Sequence, residues 1–146
     1  MAAVVLLARV AMGILLVVAG ASKIGHANVF AQEIAGFRIL ATPLVAPLSL
    51  LLPLFELGVG AYLTIGLYTR VAALLASAEF CVFAIAIASA VMRGISTSCG
   101  CFGPNDHSVT SWPEVARDVA LALVCGFVAM RAPGMLSVDR RMRREL

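Results

Sequence analysis

Residues Ala2–Ser22 read AAVVLLARVAMGILLVVAGAS, and this stretch contains a single charged side chain, Arg9. An α-helix rises about 1.5 Å per residue, so roughly 20 apolar residues cross the hydrocarbon core of a bilayer. The stretch therefore predicts a membrane-spanning helix. Ala19-Gly20-Ala21 also resembles a signal-peptidase site, but no positive charge precedes the apolar core, which favours a helix that is retained.

Three further runs along the chain have the same character. The second run, Pro47–Tyr68, contains only the charge of Glu56, and the third run, Val71–Met92, contains only that of Glu79. The fourth run is less pure, because Arg117 and Asp118 lie near its start. We expect a single domain with spans at about residues 2–22, 47–68, 71–92 and 112–131, followed by a basic cytoplasmic tail at 132–146.

The composition agrees with a lipid environment. Hydrophobic residues make up 62% of the 146-residue chain, charged residues only 13%, and the mean hydropathy is +1.01. A soluble domain carries about 25% charged residues, so this chain lacks the charges that a water-facing surface requires. The predicted fold class is all-α, an integral membrane four-helix bundle with a short interfacial helix between the first and second spans. That short helix follows from Val29, Phe30, Ile34 and Phe37, which recur at helical spacing.

The distribution of cations predicts the orientation in the membrane. Short loops rich in Lys and Arg stay in the cytoplasm. The densest cationic cluster follows the fourth run, so the C-terminus is expected inside; its members are Arg131, Arg140, Arg141, Arg143 and Arg144. With four spans the N-terminus is also inside, and the Lys23–Ala46 and Arg93–Ser111 loops face outward. We expect the plasma (inner) membrane as the location.

The outward loop after the third span contains the sequence Cys99-Gly100-Cys101-Phe102-Gly103-Pro104. Two thiols one residue apart close on each other only in a small ring, and Gly100 supplies the backbone freedom that such a ring needs. Strained and exposed disulfides are labile and often catalytic. Cys99 and Cys101 are therefore the predicted catalytic residues. Lys23, Arg93 and Arg117 are expected near the outer ends of their helices, where cations stabilise thiolates; the alternative is that they only anchor the helices at the interface.

Ionisable groups within the spans indicate a second candidate site. Intramembrane carboxylates usually face the bundle interior, often at a functional site. Arg9 and Glu79 come to a similar depth and are expected to pair, which leaves Glu56 to a proton, a ligand or a hydroxyl group such as those of Thr64 and Ser77. A polar clasp between helices is the structural alternative. Lys23, Glu56 and Arg117 are the predicted cofactor-binding residues, with quinone as the candidate cofactor.

Two other interpretations of the cysteines remain open. A soft metal, Cu(I) or Zn(II), fits Cys99 and Cys101 with Asp106 and His107, but no recognisable four-ligand spacing is complete, so no metal ligand is predicted. Cys81 and Cys125 lie deep in the third and fourth runs, too far from the loop to reach it. Both are expected to be buried packing residues.

The chain resembles the DoxX-like membrane proteins, and within them the branch of the methylamine-utilisation protein MauE. The Cys99–Gly103 element between the last two helices carries the resemblance most specifically. The other matching elements are Arg9, Gly13, Ala19–Lys23, Pro53–Gly58, Gly66, Ser111-Trp112 and Arg117. Members of the family usually have Asn after that Arg, so Asp118 departs from the pattern.

The resemblance implies thiol–disulfide work on extracytoplasmic proteins, with a thioredoxin-like partner and a disulfide-rich dehydrogenase subunit as client. Such bundles also resemble DsbB and vitamin K epoxide reductase, which pass electrons from thiols to quinone. The expected partners are lipid, a thioredoxin-like or disulfide-containing extracytoplasmic protein and other membrane subunits, and no nucleic acid. A non-catalytic membrane scaffold, in which the disulfide only staples the loop, is the alternative from another functional class.

Overall fold

The computed structural model describes residues 1–99, 108–132 and 137–139. These residues form five α-helices: α1 Ala2–Ile24, α2 Ala27–Gly36, α3 Thr42–Ile65, α4 Thr69–Met92 and α5 Trp112–Arg131. Within the part of the chain that the structure describes, β pairing is limited to one antiparallel bridge between Ser98 and Val109. The predicted all-helical class is confirmed, and so is the short helix between the first two long ones.

Local sequence explains where the long helices begin and end. Pro43 lies in the first turn of α3 and Pro113 in that of α5, where the missing amide hydrogen costs nothing. Gly66 ends α3 with a positive φ of 78°, a conformation that glycine adopts without strain. Four helix bounds differ from the prediction: α1 continues to Ile24, α3 begins at Thr42 and ends at Ile65, and α4 begins at Thr69.

The long helices pack in two antiparallel pairs. α1 lies along α3 and α4 lies along α5, and the pairs meet through α3 with α4 and α1 with α5. Glycines allow the closest approach between α1 and α3. A Cβ atom added to Gly13 would lie 2.9 Å from the Gly60 carbonyl oxygen, and one added to Gly60 would lie 2.7 Å from the Gly13 carbonyl oxygen. Small residues at such crossings are typical of membrane helix pairs.

The hydrophobic core lies between all four long helices. It contains small side chains from α4 and larger ones from α1 and α3, with the following buried members: Met12, Leu16, Val59, Leu63, Ala72, Ala73, Ala76, Phe80, Ala122, Cys125, Val128 and Ala129. The outward faces are apolar as well. Leu7 and Leu123 are each 70% exposed and Ile85 is 69% exposed, as expected for surfaces that contact lipid rather than water.

Three helices are long and apolar enough to cross a membrane, namely α1, α3 and α4. α5 has the extent predicted for the fourth span, but it carries Glu114, Arg117 and Asp118 within its first two turns. The described structure therefore supports three of the four predicted spans, and the fourth stays a prediction.

A short segment after α5 folds back onto the turn between α3 and α4. The Asp139 carboxylate accepts hydrogen bonds from the backbone N–H groups of Tyr68 and Thr69, both at 2.8 Å, and the Asp139 N–H donates to the Gly66 carbonyl oxygen at 3.2 Å. Ser137 is buried in the same place. Asp139 thus satisfies donors at the start of α4 that no helical carbonyl can reach.

Candidate functional site

The loop that carries the cysteine motif is held by a short ladder at its base. The Cys99 N–H donates to the Ser108 carbonyl oxygen at 2.9 Å, and the Thr110 N–H donates to the Thr97 carbonyl oxygen at 2.9 Å. The Thr110 hydroxyl closes the base further by donating to the Ile95 carbonyl oxygen at 2.8 Å. The backbone at Cys99 is therefore fixed relative to the ends of α4 and α5. Residues 100–107, including Cys101, Asp106 and His107, lie outside the described residues.

Cys99 is disulfide-bonded and buried. Its exposed fraction is 5%, and it packs on Ile87, with Phe37, Val91 and Val115 around it. The exposure expected of the motif is therefore wrong for Cys99, because α2 lies over the loop base and shields this sulfur. The predicted pairing with Cys101 stays a prediction, since Cys101 lies outside the described residues.

Polar contacts fix α2 in this position. Glu33 accepts a hydrogen bond from the Ser98 hydroxyl at 3.1 Å. The Arg93 guanidinium donates to the carbonyl oxygens of Phe37 at 2.5 Å and of Arg38 at 3.3 Å. These carbonyls lie at the C-terminal end of α2, where a cation is favourable. Arg93 was predicted to act on the thiols, but the structure shows it holding α2 against the end of α4.

Arg117 is the predicted cation that contacts the sulfur. Its Nη2 atom lies 3.5 Å from Cys99 Sγ, and its Nε donates to Asp118 Oδ1 at 3.1 Å. Asp118 is only 1% exposed, whereas Arg117 is 30% exposed. The buried carboxylate therefore orients the guanidinium toward the sulfur, which gives a physical role to the residue that departs from the family pattern.

Lys23 forms a buried ion pair with Glu56, deeper in the bundle than predicted. The exposed fractions are 0% for Lys23 and 1% for Glu56, and the ammonium lies over the rings of Phe30 at 5.0 Å and Phe83 at 5.6 Å from the ring centroids. The expectation that Glu56 lacks a side-chain cation partner is wrong. The hydroxyls proposed for it donate elsewhere, from Thr64 to the Gly60 carbonyl oxygen and from Ser77 to the Ala122 carbonyl oxygen.

Glu79 adds a second carboxyl group to this pair. It is buried and interacts electrostatically with both Glu56 and Lys23. The expected pair with Arg9 is wrong, since neither oxygen of Glu79 accepts a hydrogen bond from any described residue. Arg9 instead donates to the Leu63 carbonyl oxygen at 3.1 Å. We call Lys23, Glu56 and Glu79 the buried charge cluster; it holds two carboxyl groups for one ammonium.

The sequence failed to identify this cluster because Lys23 was placed in a loop. The helix continues through it, and α1 and α3 are close at this level, since a Cβ on Gly20 would lie 2.6 Å from the Pro53 carbonyl oxygen. Glu56 itself faces Gly20 at this crossing, and the Lys23 side chain, which like other helical side chains points toward the N-terminus of its helix, reaches back to it. Of the three predicted cofactor-binding residues, Lys23 and Glu56 are thus brought together, whereas Arg117 lies at Cys99.

The remaining cysteines behave differently from each other. Cys125 is a free thiol in the interior, as predicted for a packing residue. Cys81 is also free, but it is exposed on the outside of α4, so its predicted burial is wrong. Among the described residues, no group of three or more His, Cys, Asp or Glu side chains is arranged to hold a metal ion. Three of the four residues considered for a soft metal lie outside that part of the chain.

Comparison with known proteins identifies the family. The family model described as "Methylamine utilisation protein MauE" matches residues 1–131. Proteins named methylamine utilization protein MauE are similar along most of the chain: 32% identity over 126 residues in Paracoccus denitrificans (86% of this chain, 68% of that protein) and 34% over 121 residues in Methylorubrum extorquens (82% and 65%). A third, from Methylophilus methylotrophus, is 34% identical over 128 residues (86% and 67%).

The chain therefore spans about two thirds of the length of these relatives. No solved structure matches it significantly. The resemblance predicted from the sequence is confirmed.

Proposed function

This chain belongs to the MauE family of membrane proteins, and on that basis we propose that it is a thiol–disulfide redox protein that exchanges disulfides through Cys99 and Cys101. One observation carries the proposal: the guanidinium of Arg117 contacts the sulfur of the disulfide-bonded Cys99 at 3.5 Å. A cation in this position stabilises the thiolate that forms when the disulfide opens.

The burial of Cys99 assigns the two sulfurs different roles. An incoming thiolate attacks Cys101, because the Cys99 sulfur is shielded by α2 and the apolar side chains around it. A bond forms between the partner and Cys101, the Cys99–Cys101 bond breaks, and Cys99 leaves as a thiolate beside Arg117. The partner's second thiol then attacks the partner sulfur of the mixed disulfide. The partner ends as a disulfide, and its two electrons and two protons reside on Cys99 and Cys101.

The side of the membrane follows from the charges in the sequence. The Arg-rich stretch from Arg131 onward places the C-terminus in the cytoplasm, and with α5 as a fourth span the N-terminus lies there too. The cysteine loop then faces the extracytoplasmic side of the plasma (inner) membrane, where disulfides persist. The partner is a thioredoxin-like or disulfide-containing protein of that compartment. By the names of its relatives, this chain serves methylamine utilisation.

A scaffold function is the second candidate, and the contacts at the loop base favour it. Ser98, Arg93 and the ladder at Cys99 fix the base of the loop and hold α2 against it, as a docking platform within a larger membrane complex would require. In that case the disulfide staples the loop and never opens. Soft-metal handling, the remaining alternative, predicts a bound Cu or Zn ion after purification.

Single-cysteine variants test the exchange. In membrane vesicles, Cys99→Ser leaves Cys101 free and should form a mixed disulfide with oxidised glutathione at least tenfold faster than Cys101→Ser, because the remaining sulfur of the latter is buried. Cys125→Ser is the matched control, since this buried thiol lies far from the loop and should leave the wild-type behaviour unchanged. Equal and negligible rates in both single variants would overturn the proposal. A reagent that cannot cross the membrane should label Cys101 from the extracytoplasmic side only.

A further inference from the structure

The buried charge cluster lies where the two helix pairs of the bundle meet. Lys23 belongs to α1 and Glu56 to α3, whereas Glu79 belongs to α4 of the second pair. Glu79 is only 7% exposed, and the other two side chains are buried still more completely. Water therefore does not solvate these charges. A carboxylate in such surroundings is costly unless a cation or hydrogen-bond donors satisfy its oxygens.

The carboxyl oxygens of the cluster outnumber the donors around them. The Lys23 ammonium donates to Glu56 Oε1, and its other contacts are with the rings of Phe30 and Phe83. Within the part of the chain that the structure describes, Glu56 Oε2 and both oxygens of Glu79 have no hydrogen-bond partner. Two carboxylates and one ammonium would leave a net negative charge in an interior that lipid surrounds. One more positive charge makes the cluster neutral.

The two carboxyl groups face each other. Glu56 and Glu79 interact electrostatically and lie within reach of a mutual hydrogen bond. Two carboxylates can only accept hydrogen bonds, so this contact requires a proton on one of them. Carboxylates that share a site do not both ionise readily, because their charges repel each other. The ammonium of Lys23 bonds directly to Glu56 and keeps it ionised, which leaves Glu79 to hold the proton.

The titratable and charged groups that face Glu79 come from three helices. They are Lys23 on α1, Glu56 on α3 and the thiol of Cys125 on α5. Lys23 is the only cation among them, and it is already bonded to Glu56. The positive charge that neutralises Glu79 therefore has to be a small ion.

The surroundings on the side of α2 favour a proton over a metal ion. The rings of Phe30 and Phe83, over which the Lys23 ammonium lies, also line an apolar cavity of about 230 Å³ beneath α2, which Cys99 borders. This almost wholly apolar wall supplies no ligands for a metal ion. Ions such as Mg²⁺ and Ca²⁺ take about six or more oxygen ligands, far more than the unpaired oxygens of two carboxyl groups provide.

We propose that the buried charge cluster is a proton-binding site, in which Glu79 holds one proton and donates it to Glu56 Oε2. The cluster then consists of an ammonium, a carboxylate and a carboxylic acid, and it is neutral. The hydrogen bond joins α3 to α4, so it connects the α1–α3 pair to the α4–α5 pair. When the proton leaves, two carboxylates repel each other across this junction. The junction thus responds to pH, and it does so independently of any exchange at Cys99.

Infrared spectroscopy tests the proposal directly, because the carbonyl of a carboxylic acid absorbs at a higher frequency than a carboxylate. The wild type at neutral pH, in a detergent without ester groups, is compared with Glu79→Gln, whose amide keeps the shape of the acid and can still donate to Glu56. Glu114→Gln is the matched control, because it makes the same change in the first turn of α5, outside the cluster. The wild type and Glu114→Gln should show the carboxylic-acid band, and Glu79→Gln should lose it.

Three results would overturn the assignment. The first is a wild type that has no carboxylic-acid band at neutral pH, and the second is a band that persists in Glu79→Gln. The third is a band that disappears when sodium chloride replaces choline chloride, because the cluster would then take a metal cation in place of the proton.

The pH dependence of unfolding provides a second, independent measurement. Above about pH 5 the Glu79 side chain is ionised in the unfolded chain, whereas the folded chain holds its proton. Unfolding then releases a proton, so the unfolding equilibrium constant should rise with pH, by up to about tenfold per pH unit. Glu79→Gln should lack this part of the dependence, and Glu114→Gln should retain it. The same dependence in the wild type and in Glu79→Gln would contradict the proposal.

Discussion

The two cations of α1, Lys23 and Arg9, are both buried, and they lie at opposite ends of the helix. Their partners differ in kind, since one is a side-chain carboxylate and the other a backbone carbonyl. Lys23 meets the carboxylate of Glu56, with the carboxyl of Glu79 in addition, next to the cavity that Cys99 borders. Arg9 donates to a backbone carbonyl, and the acidic group near it belongs to the segment after α5. The Lys23 end holds one carboxyl group more than ammonium groups, next to the cavity that Cys99 borders. The Arg9 end has its charge matched by contacts with α3 and with the segment after α5.

The difference teaches how to separate functional charges from structural ones in this bundle. A buried ion pair is weak evidence for stability by itself, because desolvation offsets much of the attraction. An extra carboxyl group beside such a pair adds desolvation cost, and here Glu79 has to share the one ammonium with Glu56, whose charge repels it. The buried charges at the Lys23 end therefore have a desolvation cost that indicates a functional role. The contacts at the Arg9 end are explained by packing and by the capping of α4. The predictions below test this division.

The largest effect is expected at Lys23. Lys23→Met leaves Glu56 buried without its cation, which should lower the free energy of unfolding by about 3–5 kcal/mol. The double variant Lys23→Met, Glu56→Gln removes both charges and should recover most of the loss. Thermal unfolding in detergent measures both. If Lys23→Met were as stable as the wild type, the ion pair would contribute nothing to the free energy of unfolding. The proposed difference between the Lys23 and Arg9 ends would then be wrong.

The matched substitution of Arg9, at the other end of α1, should destabilise the fold less and should leave disulfide exchange with glutathione unchanged. Arg9→Met removes a charged hydrogen bond to the Leu63 carbonyl oxygen, which should lower the free energy of unfolding by about 2 kcal/mol. Because Arg9 lies far from the cysteine loop, the rate of exchange with glutathione should stay at the wild-type value. A loss of exchange in folded Arg9→Met protein would contradict a purely structural role for this end.

A smaller effect is expected at the cap of α4. Asp139→Ala removes the carboxylate that accepts from the N–H groups of Tyr68 and Thr69, and loss of such a cap costs about 1 kcal/mol. Hydrogen exchange of the first turn of α4 should accelerate while that of α5 stays unchanged. Protection that is the same in both proteins would mean that the segment around Asp139 does not rest on this turn in the membrane.

The smallest effect on stability is expected at the loop base. Ser98→Ala removes one hydrogen bond to Glu33 and should cost about 0.5–1 kcal/mol. The functional consequence should be more visible, because α2 then shields Cys99 less well. In reduced protein, alkylation of Cys99 by a small maleimide should become severalfold faster than in the wild type. An unchanged rate would indicate that Arg93 alone fixes α2.

The sequence predicted the helices because apolar runs of this length have few alternatives. α1, α4 and α5 lie within two residues of their predicted bounds, and α2 was found from Val29, Phe30, Ile34 and Phe37 alone. The sequence could not predict where α2 would lie in space, so the burial of Cys99 was missed. Lys23 was assigned to a loop because a charge at the end of an apolar run resembles a boundary, and its partner on α3 becomes visible only when two helices are packed together.

The sequence predicted only those contacts of the candidate site that join residues close to each other along the chain. Cys99 and Arg117 are separated by a single loop, so their proximity follows from local geometry, and the structure places the guanidinium at the sulfur. The Lys23–Glu56 pair and the cavity depend on contacts between α1, α2, α3 and α4, which no short motif encodes. Residues that are close along the chain could be assigned, and those brought together by packing could not.

The redox equilibrium of the cysteine pair tests most directly whether the Cys99 disulfide opens and closes reversibly. Purified protein is equilibrated over a series of glutathione buffers, trapped with acid, alkylated and weighed, together with Arg117→Gln and, as a control on the same helix, Arg131→Gln. We expect the wild-type pair to open reversibly with a midpoint above about −300 mV, the range of exchanging disulfides. Arg117→Gln should open at a lower potential, since the reduced form loses the guanidinium at the Cys99 sulfur, and Arg131→Gln should match the wild type. A pair that stays oxidised across the whole series would show that the disulfide is only a staple.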